Sequence, residues 1–268
     1  MTLQAAIPEW IWRRYEVGER LGGGVWSDVY RVTARGTGEV FAVKILKPEY
    51  RSAEKLRSRF LSEAKAMARL VHPNVLRIFD VGGAMTEEPA IVMEYATGGD
   101  LREYVTLYGL EADQIARMAL FMLLGLVAAQ KVGIVHRGLC PESVFLDDNL
   151  SPKLADFGTV LMEQNPHLPT LPAESLGEFL YSPPEQRYDP RGVDGRVDIY
   201  AMGAMLCFMC MRRDPPDLSL LSRSPEMLDL VHPMLRPIIT RACQPRPEDR
   251  YQTAAEMGRA VRKLFVNG

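Results

Sequence analysis

Three short stretches of the sequence carry groups that could hold a phosphorylated ligand. LGGGVWSDVY, at residues 21–30, places three glycines between two strand patterns, where backbone N–H groups can approach phosphate oxygens. FAVKIL places Lys44 on an apolar strand, where an ammonium group needs an anionic partner, and Glu63 is the candidate for that partner. KLADFG ends a third strand at Asp156, whose carboxylate suits a hard cation beside phosphates.

Each of these features also has a simpler structural explanation. A glycine hairpin needs no ligand, a lysine can extend its ammonium group to the surface, and an aspartate before a turn is common. The prediction of a nucleotide site therefore depends on all three features occurring in this order and at this spacing.

The elements that must position these groups change along the chain. Residues 15–24, 27–34 and 39–46 alternate apolar and polar side chains around Gly-rich turns, which predicts an antiparallel sheet. Apolar residues at helical spacing predict a helix at about residues 52–70, with Ser52 as its N-cap.

Helical patterns dominate the rest of the chain. They occupy residues 111–131 and 198–211, and a short amphipathic stretch ends the sequence. The sequence therefore predicts an α+β fold in which a small β-rich half joins a larger helical half near residues 94–97. Such a two-lobe layout leaves a cleft at the join.

The composition argues against several classes of protein. The 32 basic and 34 acidic residues leave a formal net charge of -2, so bulk electrostatics favours neither nucleic acid nor an anionic membrane. The longest uncharged apolar runs, at 118–129 and 199–211, are shorter than the roughly 18 residues that span a bilayer. We therefore expect core helices, no membrane segment in this chain and no nucleic-acid partner.

The N-terminus and the four cysteines predict a cytoplasmic protein. The chain does not begin with the charged-then-apolar order of a signal peptide, and four cysteines are too few for a dense disulfide framework. CFMC at residues 207–210 has the spacing of a metal or redox motif, but it lies in an apolar run and no second ligand pair follows. Thiols packed in a buried helix are the preferred interpretation.

The ordered motifs resemble those of the eukaryotic-like (Hanks-type) protein kinases, most nearly the bacterial Ser/Thr branch, over about residues 15–265. The resemblance implies a two-lobe protein kinase-like fold with a small β-rich N-lobe and a larger helical C-lobe. Residues 1–14 would form an N-terminal extension, 15–93 the N-lobe, 94–97 the hinge and 98–268 the C-lobe.

The resemblance also implies an ATP site. Lys44 matches the lysine that holds the α- and β-phosphates, Glu63 matches its helix partner, and Asp156 matches the metal-binding aspartate. Ser27 stands where the family has the third glycine of its loop. The other matching positions would line the loop, the adenine pocket and the hinge, with Met93 as gatekeeper: Gly22, Gly24, Val29, Ala42, Met93, Glu94, Ala96 and Phe145.

Several structural features of the family are matched as well. Glu185 and Arg250 match its buried ion pair, and Asp198 matches the anchor of its central helix. Three positions match the stacked hydrophobic spine of an assembled kinase: Met67, His136 and Phe157.

The departures from the family pattern fall at the catalytic positions. Gly138 replaces the aspartate that orients and deprotonates the acceptor hydroxyl, Cys140 replaces the lysine that neutralises the transferred phosphoryl group, and Ser143 replaces the asparagine that binds a second metal ion. Glu178 stands where Ser/Thr kinases keep a threonine that touches these groups. The resemblance therefore implies an active site with no intact catalytic residue.

We expect a pseudokinase, a signalling or scaffolding module that binds protein partners and retains weak ATP binding, with or without Mg²⁺. An active kinase or another component of a phosphorylation pathway is one candidate partner. Two alternatives stay open from the sequence. One is an enzyme with rerouted phosphoryl or adenylyl transfer, in which Glu142 or Glu178 serves as base, and the other is a nucleotide-independent scaffold, which Trp26 and Ser27 in the glycine loop favour.

Overall fold

A five-stranded antiparallel sheet and a larger set of helices make up the chain, which is of the α+β class, as predicted. The computed structural model describes residues 7–24, 26–83, 88–157, 176–189, 192–221 and 224–265, without the side chains of Arg59, Glu63 and residues 176–178. The chain divides into two units. The first unit comprises the residues up to Val71 together with Leu76–Ala96, and the second comprises His72–Val75 and the residues from Thr97 onward.

The sheet of the first unit has the strand order β1-β2-β3-β5-β4, and each neighbouring pair is antiparallel. Its strands are β1 (Tyr15–Gly23), β2 (Ser27–Ala34), β3 (Val40–Leu46), β4 (Ile78–Gly82) and β5 (Ala90–Glu94). The first three confirm the strands predicted at residues 15–24, 27–34 and 39–46. Alternation of side chains between the two faces of a strand is what made them visible in the sequence.

Three helices belong to the first unit: α1 (Glu9–Arg14), α2 (Pro48–Arg51) and α3 (Glu54–Met67). The helix predicted at about residues 52–70 is confirmed, but the N-cap assigned to Ser52 is wrong. Pro48 starts the short helix α2, which draws Ser52 into a helical backbone conformation as its C-cap. An N-cap residue needs an extended backbone, and Ala53 supplies it for α3 without a side-chain hydrogen bond.

The second unit is mainly helical. Its helices include the three predicted at residues 111–131, at 198–211 and near the C-terminus, and it also holds a ribbon of β6 (Val144–Leu146) and β7 (Pro152–Leu154). Short 3-10 turns occur at Pro141–Ser143, Leu218–Leu220, Pro225–Leu228 and Pro247–Asp249. The helices are α4 (Leu101–Tyr108), α5 (Ala112–Lys131), α6 (Leu176–Tyr181), α7 (Pro184–Tyr188), α8 (Arg196–Met211), α9 (Arg236–Ala242) and α10 (Ala254–Lys263).

Helix α8 is the most buried element of the second unit. Every residue from Val197 to Met209 is buried, which is the pattern of a helix surrounded by other elements. The CFMC stretch lies near its C-terminal end, where Cys207 is buried and Cys210 is partly buried. Burial raises the pKa of the Cys207 thiol to about 12, so this cysteine is a packed thiol rather than a reactive one.

Helix α5 is 20 residues long and, by length and composition alone, apolar enough to cross a membrane. The uncharged run at 118–129 is only part of this helix, which begins at Ala112 and ends at Lys131. Half of its most apolar window is buried inside the fold, and the helix packs against α8, α10 and β7. These contacts are those of a core helix of the second unit.

Candidate functional site

One face of the first unit's sheet carries most of the predicted nucleotide-binding side chains. The β2–β3 register pairs Val29 with Lys44, and the β3–β5 register pairs Ala42 with Met93 and Lys44 with Ile91. Directly paired residues share a face, as do residues two apart along a strand. Val29, Ala42, Lys44 and Met93 therefore lie together on one face of three adjacent strands, which we call the inner face.

Helix α3 packs on the inner face beside Lys44. Leu46 and Ile91, the neighbours of Lys44 on this face, form a core cluster with three apolar side chains of α3. Glu63 lies in this helix, immediately before one member of the cluster, Ala64. Its side chain is outside the described part of the structure, so the pairing of Lys44 with Glu63 stays a prediction.

Glycines 22 to 24 lie where β1 and β2 pair at their connected ends. Gly22 and Gly23 pair with Val29 and Asp28, and the N–H of Gly24 donates to the carbonyl of Ser27 at 2.9 Å. A Cβ at Gly22 or Gly24 would meet nothing within 4 Å, so the backbone at both positions is open to a ligand. Ser27, in the place of the third glycine, is buried.

Trp26 anchors the hairpin tip to the rest of the first unit. Its ring meets Tyr50 edge-on at a centroid distance of 4.8 Å and packs against the cluster that α3 forms on the inner face. The N–H of Lys47 donates to the Trp26 carbonyl at 2.9 Å. The hairpin tip is therefore held by an aromatic contact and a backbone hydrogen bond.

The predicted hinge residues lie at the end of β5. The N–H of Glu94 donates to the carbonyl of Arg77, the residue before β4, at 2.8 Å, so this N–H already has a hydrogen-bond acceptor. The carboxylate of Glu94 in turn accepts from the N–H of Arg77 at 3.2 Å. An adenine contact at Glu94 would use its carbonyl, and Ala96 is the last residue of the first unit.

In the second unit, two side chains fix the backbone of the loop that carries Arg137 and Gly138. The carboxylate of Asp198, at the start of α8, accepts hydrogen bonds from the N–H groups of His136 and Arg137 at 2.9 and 2.8 Å. The amide of Gln186 donates to the carbonyl of Arg137 at 2.6 Å. Arg137 has a φ of 64°, which is uncommon for a residue other than glycine and is sustained by these bonds.

Burial dominates the electrostatics of this anchor. It raises the pKa of Asp198 to about 6, although the two backbone hydrogen bonds act in the opposite direction. It also lowers the pKa of His136 to about 4, against the attraction of the nearby Asp156 carboxylate. At neutral pH Asp198 is therefore charged and His136 is neutral.

The turn that carries Cys140 and Ser143 is closed on itself. The hydroxyl of Ser143 accepts from the N–H of Cys140 at 3.0 Å and donates to the carbonyl of Cys140 at 2.9 Å. The Ser143 carbonyl accepts from the N–H of Ala155 at 2.8 Å. Ser143 is only 4% exposed, so its hydroxyl is used by the turn that it closes.

Asp156 and Phe157 follow β7 in a left-handed turn. Asp156 has a φ of 55° and is exposed, whereas Phe157 is buried with its ring 4.3 Å from that of His136. Phe157 and His136 therefore confirm their part of the predicted stack. Asp156 belongs to no group of three or more candidate metal ligands within the described ranges, and its role with Mg²⁺ stays a prediction.

Glu142, the alternative base of the sequence analysis, is held in an ion pair. The guanidinium of Arg102, on α4, donates to Glu142 and also to Asp214 at 2.6 Å, and the hydroxyl of Tyr181 donates to Asp214 at 2.9 Å. Burial lowers the pKa of Arg102, but the hydrogen bonds to both carboxylates outweigh it and the net shift is upward. The side chain of Glu178, the other candidate base, is outside the described part.

Two further predictions concern single residues of the second unit. Arg250 is fully buried and donates to both carboxylate oxygens of Glu185, at 2.6 and 2.8 Å, which confirms that ion pair. Phe145 lies in β6, paired with Lys153 and bridged to Asp100. Its predicted contact with adenine is not tested by this placement.

The sequence analysis missed three residues that shape the site. Arg102, Gln186 and Asp214 act through partners 40, 49 and 112 positions away along the chain. Gln186 follows the matched Glu185 directly, but neither its type nor its spacing indicates that it supports the loop. Pairings over such separations are visible only once the chain has folded.

Similar sequences and structures occur among known proteins. Residues 15–256 match the family model described as the protein kinase domain. A serine/threonine-protein kinase PknB of Mycolicibacterium smegmatis is 31% identical over 273 residues, covering 93% of this chain and 43% of the relative. A DNA damage-responsive serine/threonine-protein kinase, RqkA of Deinococcus radiodurans, is 37% identical over 201 residues, covering 72% of this chain and 29% of the relative. The chain thus spans less than half the length of either relative.

Solved structures show the same fold. The crystal structure of the Mycobacterium tuberculosis PknI kinase domain superposes with a TM-score of 0.71 at 26% identity, covering 93% of this chain and 95% of that chain. A crystal structure of Rad53 in complex with AMP-PNP superposes with a TM-score of 0.74 at 23% identity, covering 92% of this chain and 65% of that chain. The predicted two-lobe kinase-like fold is confirmed.

Proposed function

Because this chain belongs to the protein kinase domain family, we propose that it is a pseudokinase, which has the fold of the family but not its phosphotransfer activity, binds nucleotide weakly and acts through protein partners. The observation that carries the proposal is the catalytic turn. Gly138 offers no side chain, and the hydroxyl of Ser143 closes the turn on Cys140. The curated relatives are named as kinases, so the proposed difference lies in these positions of this chain.

The missing groups set the expected rate. Loss of a positioned base lowers a rate by about 10² to 10⁴, and loss of one electrostatic stabiliser by about 10² to 10³. Such losses are not additive, so a combined loss of roughly 10⁴ to 10⁶ is expected. From a kinase turnover of about 1 to 100 per second, this leaves on the order of 10⁻⁶ to 10⁻² per second.

Metal binding is weakened at the second position. A hard cation prefers carboxylate and carbonyl oxygens, and a serine hydroxyl is a poorer ligand. In Ser143 this hydroxyl already accepts one hydrogen bond and donates another within the turn. Asp156, exposed at the end of β7, would then hold Mg²⁺ with the nucleotide phosphates as the main other ligands.

Weak ATP binding is supported by the first unit. The inner face keeps Val29, Ala42, Lys44 and Met93 together, and the backbone at Gly22 and Gly24 is open. We therefore propose a dissociation constant between about 1 μM and 1 mM, or about −8 to −4 kcal/mol. ATP would be a ligand that stabilises one form of the protein rather than a consumed substrate.

The alternative of rerouted chemistry has one structural argument against it. Glu142 would have to leave the guanidinium of Arg102 before it could take a proton from an acceptor. Arg102 is also bound to Asp214, so Glu142 is one member of a larger polar network and would lose its contact with that network on moving away. We propose that this network is structural and that the protein acts in the cytoplasm through protein partners, among them an active kinase.

Two measurements on the same protein test the proposal. The first is thermal unfolding with ATP or ADP, with and without Mg²⁺, for the wild type and for Lys44→Met. At a ligand concentration about 100 times Kd the gain is about 2.7 kcal/mol, or roughly 5–10 °C for a chain of this size. We expect a shift that Lys44→Met abolishes; no shift at millimolar nucleotide would leave the nucleotide-independent scaffold.

The second measurement is intact-protein mass spectrometry after incubation with Mg-ATP. We expect any phosphate or adenylyl adduct, on the protein or on added acceptor proteins, to form no faster than about 10⁻² per second. An adduct that forms faster than this with the wild type and is lost in Asp156→Ala would overturn the pseudokinase proposal in favour of rerouted chemistry, whatever the result of the unfolding experiment.

A further inference from the structure

The sheet of the first unit has a second apolar face, opposite the inner face. Its buried side chains come from β1, β2, β3 and β5. Because the sheet is apolar on both faces, both faces must be covered. Helix α3 covers the inner face only. The buried side chains of this outer face are Tyr15, Tyr30, Val32, Val43, Ile45, Ala90 and Val92.

Residues 7–14 cover the outer face. We call this segment, which includes helix α1, the N-terminal strap. Ile7 and Ile11 are 3% and 0% exposed and belong to the same core cluster as the outer-face side chains. Trp10 and Trp12 pack against that cluster from the strap. The match to the protein kinase domain begins at residue 15, so the strap lies outside the family domain and yet supplies part of its core.

A glycine in β4 makes the seat for the strap. A Cβ added at Gly82 would lie 2.5 Å from the ring of Trp10, closer than real Cβ atoms approach. The backbone of Gly82 has no positive φ that would itself demand glycine. The absence of a side chain at this position therefore serves the contact with Trp10.

Polar contacts fasten the strap along its length. The carboxylate and the carbonyl of Glu88 accept from the backbone N–H of Glu9 and from the indole N–H of Trp10, both at 3.4 Å. At the other end, Arg14 forms an ion pair of 2.5 Å with Asp80, which lies in β4. Both ends are thus tied to β4 or to the residues that lead from it into β5.

The geometry points to a conformational latch: residues 7–14 close the outer face of the first unit through the seat of Trp10 on Gly82. When the strap is seated, the apolar side chains of β2, β3 and β5 are covered. When it is released, these side chains become an exposed apolar surface, which can attract other apolar segments. The range that matches the kinase domain model, residues 15–256, therefore does not include the cover of this face.

Limited trypsin digestion of the full chain measures the latch, because Arg13 and Arg14 lie in the strap and Arg13 is 74% exposed. Cleavage there requires local release of the segment, so its rate follows the released population. The release of peptides ending at Arg13 or Arg14 is followed by mass spectrometry for Trp10→Ala and Gly82→Ala. Gly36→Ala is the matched control, since a Cβ there meets nothing within 4 Å.

We expect Trp10→Ala and Gly82→Ala each to raise the cleavage rate at least tenfold, with Gly36→Ala unchanged. The double variant Trp10→Ala/Gly82→Ala should be cleaved no faster than Trp10→Ala alone, because the clash at residue 82 needs the indole. Equal rates for Gly82→Ala and Gly36→Ala would overturn the latch. If Gly82→Ala fails to fold, recovery of a folded double variant supports the seat, and failure of the double variant as well contradicts it.

Discussion

If the catalytic loop keeps its backbone and lacks only its reacting side chains, replacing those side chains should restore phosphotransfer. The variant is Gly138→Asp/Cys140→Lys/Ser143→Asn. The backbone that these residues would use is already fixed, since Asp198 holds two N–H groups just before residue 138. Gly138 is not among the described glycines with a positive φ, so an aspartate meets no left-handed strain there.

The expected gain follows from what each side chain supplies. A positioned base contributes about 10² to 10⁴, and a cation or metal ligand about 10² to 10³. The three groups act as a unit, so Gly138→Asp alone should recover no more than about a hundredfold. The full triple variant should gain at least about 10³ over the wild type.

The site also limits this gain. Cys140 and Ser143 are both buried, and an asparagine at 143 must keep the two hydrogen bonds to the Cys140 backbone with a longer side chain. An amide can do so, because it carries a donor and an acceptor. A lysine at 140 must reach the surface with its ammonium group, which its long aliphatic stem allows.

The assay is transfer of labelled phosphate from Mg-ATP to a general acceptor protein, with Asp156→Ala in the triple background as the inactive control. Thermal unfolding and the nucleotide-dependent shift establish that each variant is folded and binds ATP. A folded, ATP-binding triple variant with no gain in rate would refute the idea that the loop backbone is ready for catalysis. A wild type that already turns over at about 1 per second would refute the pseudokinase proposal itself.

Three other predictions concern the second unit. Arg250→Met should lower stability by about 3–5 kcal/mol in urea unfolding, because it leaves the Glu185 carboxylate without its buried partner, whereas Arg246→Met at an exposed position should change little. Ser143→Ala should cost about 1–3 kcal/mol in the same assay, since the buried N–H of Cys140 loses its acceptor, and Ser143→Thr, which keeps the hydroxyl, should recover most of it. Burial lowers the pKa of His136 from 6.5 to about 4, so as the pH falls the unfolded chain takes up a proton before the folded chain does. The stability that the neutral ring gives is therefore lost as the pH falls from 6.5 towards 4. The stability of His136→Phe relative to the wild type should therefore rise by up to about 3 kcal/mol between pH 7 and pH 4, and a difference that does not change with pH would contradict a buried neutral histidine.

The sequence predicted the strands and their faces because period-2 alternation is a local property. Val29, Ala42, Lys44 and Met93 come together for that reason, since a correct strand register places them on one face. The N-cap at Ser52 failed because a proline four residues earlier starts a separate helix, and two overlapping helix signals compete for one residue. The residue type alone identifies an N-cap only when no second helix start or end lies within one helical turn of it.

The N-terminal strap was not predicted, although it contains two isoleucines and two tryptophans. WIW at residues 10–12 is too short to show a helical or strand period, and its partner Gly82 lies 72 residues later, as the numbering shows. The network of Arg102, Glu142 and Asp214 was missed for the same reason. Long-range partners of single side chains follow from the assembled fold and not from spacing.

In the proposed pseudokinase, the loop would keep its structure without the chemistry of the family. The groups that hold the loop are Asp198, Gln186 and the hydroxyl of Ser143, and the family resemblance assigns catalysis to the side chains at 138, 140 and 143. Residue 143 belongs to both sets, and the side chain of Cys140 also takes part in the capping box of this turn, with the N–H of Ser143. The bonds from Asp198 and Gln186 are made to backbone groups of residues 136 and 137, so substitutions at 138 and 140 leave these bonds in place. We therefore expect the part of the loop that precedes residue 138 to keep its conformation when the side chains at 138 and 140 are exchanged.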